Sequence, residues 1–106
     1  MKVIFDHGVP RPLAAMLQDC EVVTARAMGW DLLANGKLLA AAINAGFAVM
    51  VTTDRNMVHQ QNVARLPIGL VALSRNDWRR IRACRAAIEL AIAVVQPGHA
   101  VEVHIG

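Results

Sequence analysis

Five short runs of apolar, β-branched residues are spread along the 106-residue chain and predict five β-strands. The predicted strands cover residues 2–5, 21–24, 47–52, 68–73 and 100–105. The third and fourth runs are apolar without alternation, which indicates strands covered on both faces. In the fifth run Val101 and Val103 alternate with Glu102 and His104, so we expect an edge strand with one solvent-exposed face.

Segments with apolar residues at steps of three or four lie between the strands and predict helices. A short helix is expected to begin at Pro12 and to end near residue 19. Asn35 is the predicted N-cap of a helix over 36–45, a short helix is expected over 57–62, and Asn76 or Asp77 should cap a long helix that ends near residue 95. The buried stripe of this last helix would consist of Trp78, Ile81, Cys84, Ile88, Ile92 and Val95.

This alternation of strands and helices predicts a single domain with a three-layer α/β/α sandwich on a mostly parallel sheet of about five strands. We expect the first strand to lie between the second and the third, in the order 2-1-3-4, with the fifth strand at an edge. In such sheets ligands bind beyond the carboxyl ends of the strands, where the strand order reverses. The switch point would then lie between the first and third strands.

Composition narrows the classes of protein that fit this pattern. The chain is 56% hydrophobic but only 4% aromatic, so its core must be aliphatic. The longest apolar stretch, 38–43, is far shorter than a membrane helix, and nothing at the N-terminus resembles a signal peptide. We therefore expect a cytoplasmic protein with no membrane partner. Cys20 and Cys84 have no metal-ligand spacing and should be reduced thiols, and the net charge of +3 favours anionic partners slightly.

Two aspartates follow predicted strands and form the candidate catalytic and metal site. Asp6 comes directly after the first strand, and Asp54 comes two residues after Thr52, which ends the third. Because neighbouring strands lie about 4.8 Å apart, both side chains could share one Mg²⁺ or Mn²⁺ ion, which needs only one or two carboxylates. The alternative is that each aspartate only caps the turn after its strand.

Other polar residues could complete this site. Asp31 is the only other carboxylate in a segment that could fold over the same edge, and it is the third candidate catalytic acid. His7 could bind metal or phosphate or carry a proton, Asn56 could offer its amide to a phosphate, and Gln61 could bind a base or a sugar. A turn or a solvated surface explains each of these equally simply. The loop arginines that could steer a phosphodiester backbone are Arg11, Arg55, Arg65 and Arg75.

Three stretches of the chain resemble the short, stand-alone PIN-like proteins of bacteria, distant relatives of VapC-type ribonuclease toxins. The stretches are FDHGVPRPLAAML at 5–17, EVVTARAMGWDLLANGKLL at 21–39 and VTTDRNMVHQQNVARLPIGLVAL at 51–73. The resemblance implies a PIN-like sandwich whose acidic cluster binds Mg²⁺ or Mn²⁺ for RNA hydrolysis. Asp6 and Asp54 match the acids of the first and third strands.

At two positions the chain departs from the PIN-like pattern. Relatives often have an acid beside the first aspartate, where this chain has His7, and another acid near the start of the helix after residue 36, where it has Lys37. A protonated lysine cannot bind metal, but it can contact phosphate, and we expect Lys37 to point towards the carboxylates of Asp6 and Asp54.

Three functions therefore stay open. They are a ribonuclease, such as the toxin of a toxin–antitoxin pair, a weakened PIN-like module that binds RNA or protein, and a phospho-receiver that uses Asp6, Asp54 and Ser74. The candidate partners are RNA, an antitoxin protein and a second copy of the chain.

Overall fold

Five parallel strands form the centre of the protein. The computed structural model describes residues 1–106, apart from the side chain of Asn35. The strands are β1 (Lys2–Phe5), β2 (Glu21–Thr24), β3 (Val49–Thr52), β4 (Gly69–Leu73) and β5 (Ala100–Val103). They lie in the order β2-β1-β3-β4-β5, and every neighbouring pair is parallel. The predicted strand order and the edge position of β5 are therefore confirmed.

Helices cover both faces of this sheet. They are α1 (Pro12–Met16), α2 (Asn35–Asn44), α3 (Asn56–Gln60), α4 (Trp78–Ala83) and α5 (Arg85–Val94), with a 3-10 turn at Val63–Arg65. Alternate residues of one strand enter different cores: Val49 and Val51 of β3 pack on the side of α1, α4 and α5, whereas Met50 packs on the side of α2 and α3. This arrangement confirms the predicted three-layer sandwich.

Strands β1, β3 and β4 are buried almost throughout, which explains their continuous apolar runs. Strand β3 begins two residues later than predicted because Phe47 still belongs to the exit from α2, where its N–H donates to the Ala42 carbonyl oxygen at 3.0 Å. The ring of Phe47 packs edge-on against Trp30, with 6.2 Å between ring centroids. This contact joins the loop after β2 to the segment between α2 and β3.

The helix boundaries differ from the sequence prediction at two places. Helix α2 begins at Asn35 itself, and the capping position is Ala34, whose backbone is extended. The long C-terminal helix is divided into α4 and α5 at Cys84, whose N–H bonds the Ile81 carbonyl at 2.9 Å. This tighter turn interrupts the α-helical hydrogen-bond pattern, and Ile81 and Ile88 stay fully buried on either side of it.

The other ends of the helices follow the expected chemistry. Asp77 caps α4, since its Oδ1 accepts a hydrogen bond from the Arg80 N–H at 3.4 Å. Helix α1 ends at Met16, three residues earlier than predicted, and Asp19 then adopts a positive φ of 66°. Both cysteines are free thiols, and burial raises the pKa of the Cys20 thiol. Within the described part of the chain, no helix has the length and apolar character needed to cross a bilayer.

Candidate functional site

The carboxyl ends of the parallel strands lie at one edge of the sheet and bring together polar residues that are far apart in sequence. Asp6 follows β1, and its N–H donates to the Val51 carbonyl of β3 at 2.9 Å. The loops after β1 and β3 also touch. A Cβ added to Gly8 would collide with the Thr53 hydroxyl oxygen unless the threonine side chain moved, so the two loops are in close contact here. The predicted switch point between β1 and β3 is therefore a closely packed junction.

Thr52, the last residue of β3, connects the two predicted catalytic acids. Its hydroxyl is fully buried and donates to Asp6 Oδ2 at 2.7 Å. The same oxygen accepts a hydrogen bond from the Asp54 N–H at 2.9 Å. Thr52 therefore positions the half-buried Asp6 side chain and the turn that holds Asp54.

Each aspartate also accepts a hydrogen bond from its own local backbone. Asp6 Oδ1 accepts from the His7 N–H at 2.6 Å, and Asp54 Oδ1 accepts from the Asn56 N–H at 3.0 Å. The Asp54 bond closes an Asx turn at the start of α3, which is the capping role that the sequence left open for this residue. Each oxygen of the Asp6 carboxylate accepts one hydrogen bond, Oδ1 from the His7 N–H and Oδ2 from the Thr52 hydroxyl. Each oxygen therefore still has a free lone pair.

A crevice of about 350 Å³ lies beside Asp6, between the ends of β1 and β2. Its polar lining consists of Asp6, His7, Arg11, Thr24, Arg26 and Asp31. We call this feature the β1–β2 crevice. The structure thus brings four of the predicted site residues together, namely Asp6, His7, Arg11 and Asp31.

The loop that contains Asp31 is held to the crevice by His7. The imidazole Nε2 of His7 lies 2.7 Å from the Leu33 carbonyl oxygen, which can only accept, so Nε2 bears the proton. At the other side, the Trp30 N–H donates to the Ala25 carbonyl at 3.0 Å. These bonds fix both ends of the segment that brings Asp31 to the crevice.

The remaining predicted site residues lie outside this crevice. Arg55 forms an ion pair with Glu102 of β5, with 3.3 Å between Nε and Oε1. The amide of Gln61 lies against Gly36 in the first turn of α2, 3.2 Å from the position of an added Cβ. Lys37 is exposed in the same turn, and no ion pair joins it to Asp6 or Asp54 among the described side chains. Its predicted orientation towards the two acids stays a prediction.

Sequence reasoning missed three residues of the site, namely Thr24, Thr52 and Arg26. Thr52 ends an apolar strand two residues before Asp54, and a buried polar residue at that position could have indicated a bridging role. Arg26 follows β2 by two residues, so its distance from a strand end could have placed it at the same edge as Arg11.

The acids present fit a hydrated divalent ion better than a fully liganded one. Among the described residues, no three His, Cys, Asp or Glu side chains converge in a way that could hold a metal. Mg²⁺ often binds through one or two carboxylates and keeps several waters, and Asp6 with Asp31 could provide such a pair in the crevice. Affinity at such a site would be low.

Comparisons with protein-family models, with curated proteins and with solved structures find no match for this chain. The geometry of the carboxyl-terminal edge and the residues that line it are therefore what indicates a function.

Proposed function

We propose that the chain is a PIN-like RNA-binding domain with an incomplete acidic site, in which a weakly bound Mg²⁺ or Mn²⁺ ion accompanies an RNA phosphate and hydrolysis is slow or absent. The main support is the mixed charge of the β1–β2 crevice. Arg11 and Arg26 offer guanidinium groups for phosphate oxygens, whereas Asp6 and Asp31 offer carboxylates for a cation. A phosphodiester with its divalent ion has both charges, so this lining complements it.

The positions of His7 and Lys37 support weak rather than efficient hydrolysis. When bound, a divalent ion would polarise the phosphate and lower the pKa of a bound water. With His7 and Lys37 in place of acids, the chain has fewer anionic ligands to hold that ion. The Nε2 proton of His7 is already donated to the Leu33 carbonyl, so His7 contributes to the loop position as much as to any ligand.

The resemblance to VapC-type toxins supports two macromolecular partners, RNA and an antitoxin protein, both in the cytoplasm. The arginines of the crevice could bind the phosphates of the first partner, RNA. Their contribution to RNA affinity should depend strongly on salt, because each phosphate that a cation neutralises releases counterions.

Removal of one crevice arginine should weaken RNA binding by a measurable electrostatic amount. We expect Arg11→Ala and Arg26→Ala each to reduce the slope of log K against log salt by about 0.7 for a single-stranded RNA, the value for one phosphate contact. The measurement is fluorescence anisotropy of a labelled RNA oligonucleotide at several salt concentrations, with Mn²⁺ present.

Arg82→Ala is the matched control, because Arg82 is an exposed arginine of α4 that does not line the crevice. Its salt slope should equal that of the wild type. An equal loss of slope in Arg82→Ala and Arg11→Ala would show diffuse charge attraction and would contradict a phosphate site in the crevice.

Mn²⁺ should stabilise the folded protein through Asp6. An ion that binds only the folded state at about ten times its Kd adds about 1.4 kcal/mol, which raises Tm by several degrees in a domain of this size. We expect millimolar Mn²⁺ to produce this shift in the wild type, Asp6→Asn to abolish it, and Lys37→Glu to enlarge it by adding a carboxylate. Thermal unfolding followed by circular dichroism gives the measurement.

Asp19→Asn is the control for this shift. Asp19 is an exposed carboxylate outside the crevice, and its positive φ suits asparagine equally well. Its response to Mn²⁺ should match the wild type. A Tm increase of the same size in Asp6→Asn would exclude Asp6 as a ligand.

The strand order favours a phospho-receiver as a second candidate, because receiver domains share the order β2-β1-β3-β4-β5. In this protein, however, the Ser74 hydroxyl accepts a hydrogen bond from the Ile105 N–H at 2.8 Å and is turned towards the end of β5. Mass spectrometry after incubation with acetyl phosphate separates the two candidates, since only a receiver would acquire a phosphoryl group on Asp54.

A further inference from the structure

The outer edge of β5 pairs with no other strand that the structure describes, because β5 lies at the edge of the sheet. Three hydrogen bonds fix its register against β4: Leu70 N–H to the His99 carbonyl at 3.0 Å, Ser74 N–H to the Val103 carbonyl at 3.1 Å, and Ile105 N–H to the Ser74 hydroxyl at 2.8 Å. The backbone N–H and C=O groups of successive residues point to opposite edges of a strand. The N–H and C=O groups of Ala100, Glu102 and His104 therefore point away from the sheet.

An apolar groove lies beside this edge, on the face that α5 covers. It is lined by Ala87, Leu90, Ala91 and Val94 of α5, by Val101, Glu102 and Val103 of β5 and by His104 directly after it. Leu90 is 64% exposed and Val94 is 53% exposed, although both are large apolar side chains. The open edge of β5 and this apolar groove are thus continuous.

The opposite face of β5 presents one acid and one base at alternate positions. Glu102 and His104 are both exposed, and they lie on the same face because side chains alternate along a strand. Glu102 is also the partner of Arg55, at 3.3 Å. This short pattern is complementary to itself when it is read in the reverse direction.

We propose that the edge of β5 pairs antiparallel with β5 of a second copy of this chain, with Glu102 of each copy opposite His104 of the other. A two-fold axis at Val103 produces this register. The outward backbone groups of Glu102 and His104 then form about four hydrogen bonds between the copies, two for each hydrogen-bonded pair. A pairing centred on Glu102 would instead place two carboxylates directly opposite each other, which is destabilising.

The same register also buries the apolar groove beside β5. The valines at position 103 face each other and Val101 faces Ile105, on the side of the sheet that α5 covers. Leu90 and Val94 of the two copies then lie on one face of a continuous ten-stranded sheet and can pack together across the axis. This interface lies away from the β1–β2 crevice and does not depend on the function of that crevice.

Sedimentation velocity of the full chain over a range of concentrations tests the proposal. The wild type should show a species of twice the 11.5 kDa chain mass. His104→Glu places carboxylates opposite each other at two symmetry-related positions, so the dimerisation constant should fall about tenfold. The exchanged variant Glu102→His/His104→Glu restores the opposite pairing and should recover the dimer, although it loses the ion pair with Arg55.

Two further variants separate the contribution of backbone pairing to dimerisation from the contribution of surface charge. His99→Glu changes the charge of an exposed residue outside the paired region and should leave dimerisation unchanged. Glu102→Pro removes an outward N–H without removing a bond to β4, so it should weaken the dimer while circular dichroism shows an intact fold. A chain that is monomeric at all concentrations, a dimer insensitive to His104→Glu, or an exchanged variant that stays monomeric would each overturn the proposal.

Discussion

Replacement of Ile88 by alanine is expected to lower the free energy of unfolding by about 2–5 kcal/mol. Ile88 is fully buried in α5 and belongs to the core between this helix and the sheet. Truncation removes three carbon atoms from a site where α5 and the sheet are in close contact, so a cavity adds to the lost transfer free energy. Urea denaturation followed by circular dichroism gives the difference.

Leu90→Ala in the same helix is the matched control for Ile88→Ala. Leu90 is 64% exposed in the single chain, so at concentrations where the chain is monomeric its truncation should change stability by less than about 0.5 kcal/mol. The comparison holds the helix and the type of substitution constant and varies only burial. Equal shifts in the two variants would mean that α5 does not pack on the sheet through the face described above.

Thr52→Val is expected to destabilise the fold by about 1–3 kcal/mol, although the two side chains have nearly the same shape. The substitution removes the hydroxyl that donates to Asp6 Oδ2 and accepts from the Asp54 N–H. Two polar groups at the junction of β1 and β3 would then lose their partner. Thr52→Ser keeps both hydrogen bonds and should cost only about 0.8 kcal/mol, for the lost methyl group.

A double-mutant cycle with Asp6→Asn shows whether this loss arises at Asp6. Residues in one hydrogen-bond network couple by about 0.5–3 kcal/mol. We expect Thr52→Val and Asp6→Asn to couple in this range. Additive effects would mean that the hydroxyl acts only on the Asp54 turn.

The sheet was predictable from the sequence because each strand leaves a separate pattern. Continuous apolar runs marked the doubly covered β3 and β4, and the alternation of Glu102 and His104 with valines marked the edge strand β5. Asp77 was recognisable as the cap of α4 because helix capping depends only on residues close to each other in sequence. The division of the last helix at Cys84 was not predictable, because the buried stripe continues through it with unchanged spacing.

The candidate site was predictable only in part, because tertiary contacts decide which polar residues meet. Asp6 was identified from its place after β1, but its bond to Thr52 joins residues 46 positions apart. Arg55 was expected at the site because it lies in a loop near a strand end, where it could steer a phosphodiester backbone. It is instead turned towards Glu102, a partner that becomes apparent only once β5 is known to lie next to β4. The spacing of residues along the chain does not show which distant segments come into contact.

The position of β1 between β2 and β3 has a consequence for the time course of folding. Strand β1 forms no hairpin, and its pairing with β3 must await residues about 46 positions further along the chain. At a synthesis rate of about 5–20 residues per second, that interval is roughly 2–9 s. During this time Val3, Ile4 and Phe5, all fully buried in the finished domain, are exposed on the nascent chain. The segment that later supports the crevice is therefore also a candidate for chaperone binding while the protein is being made.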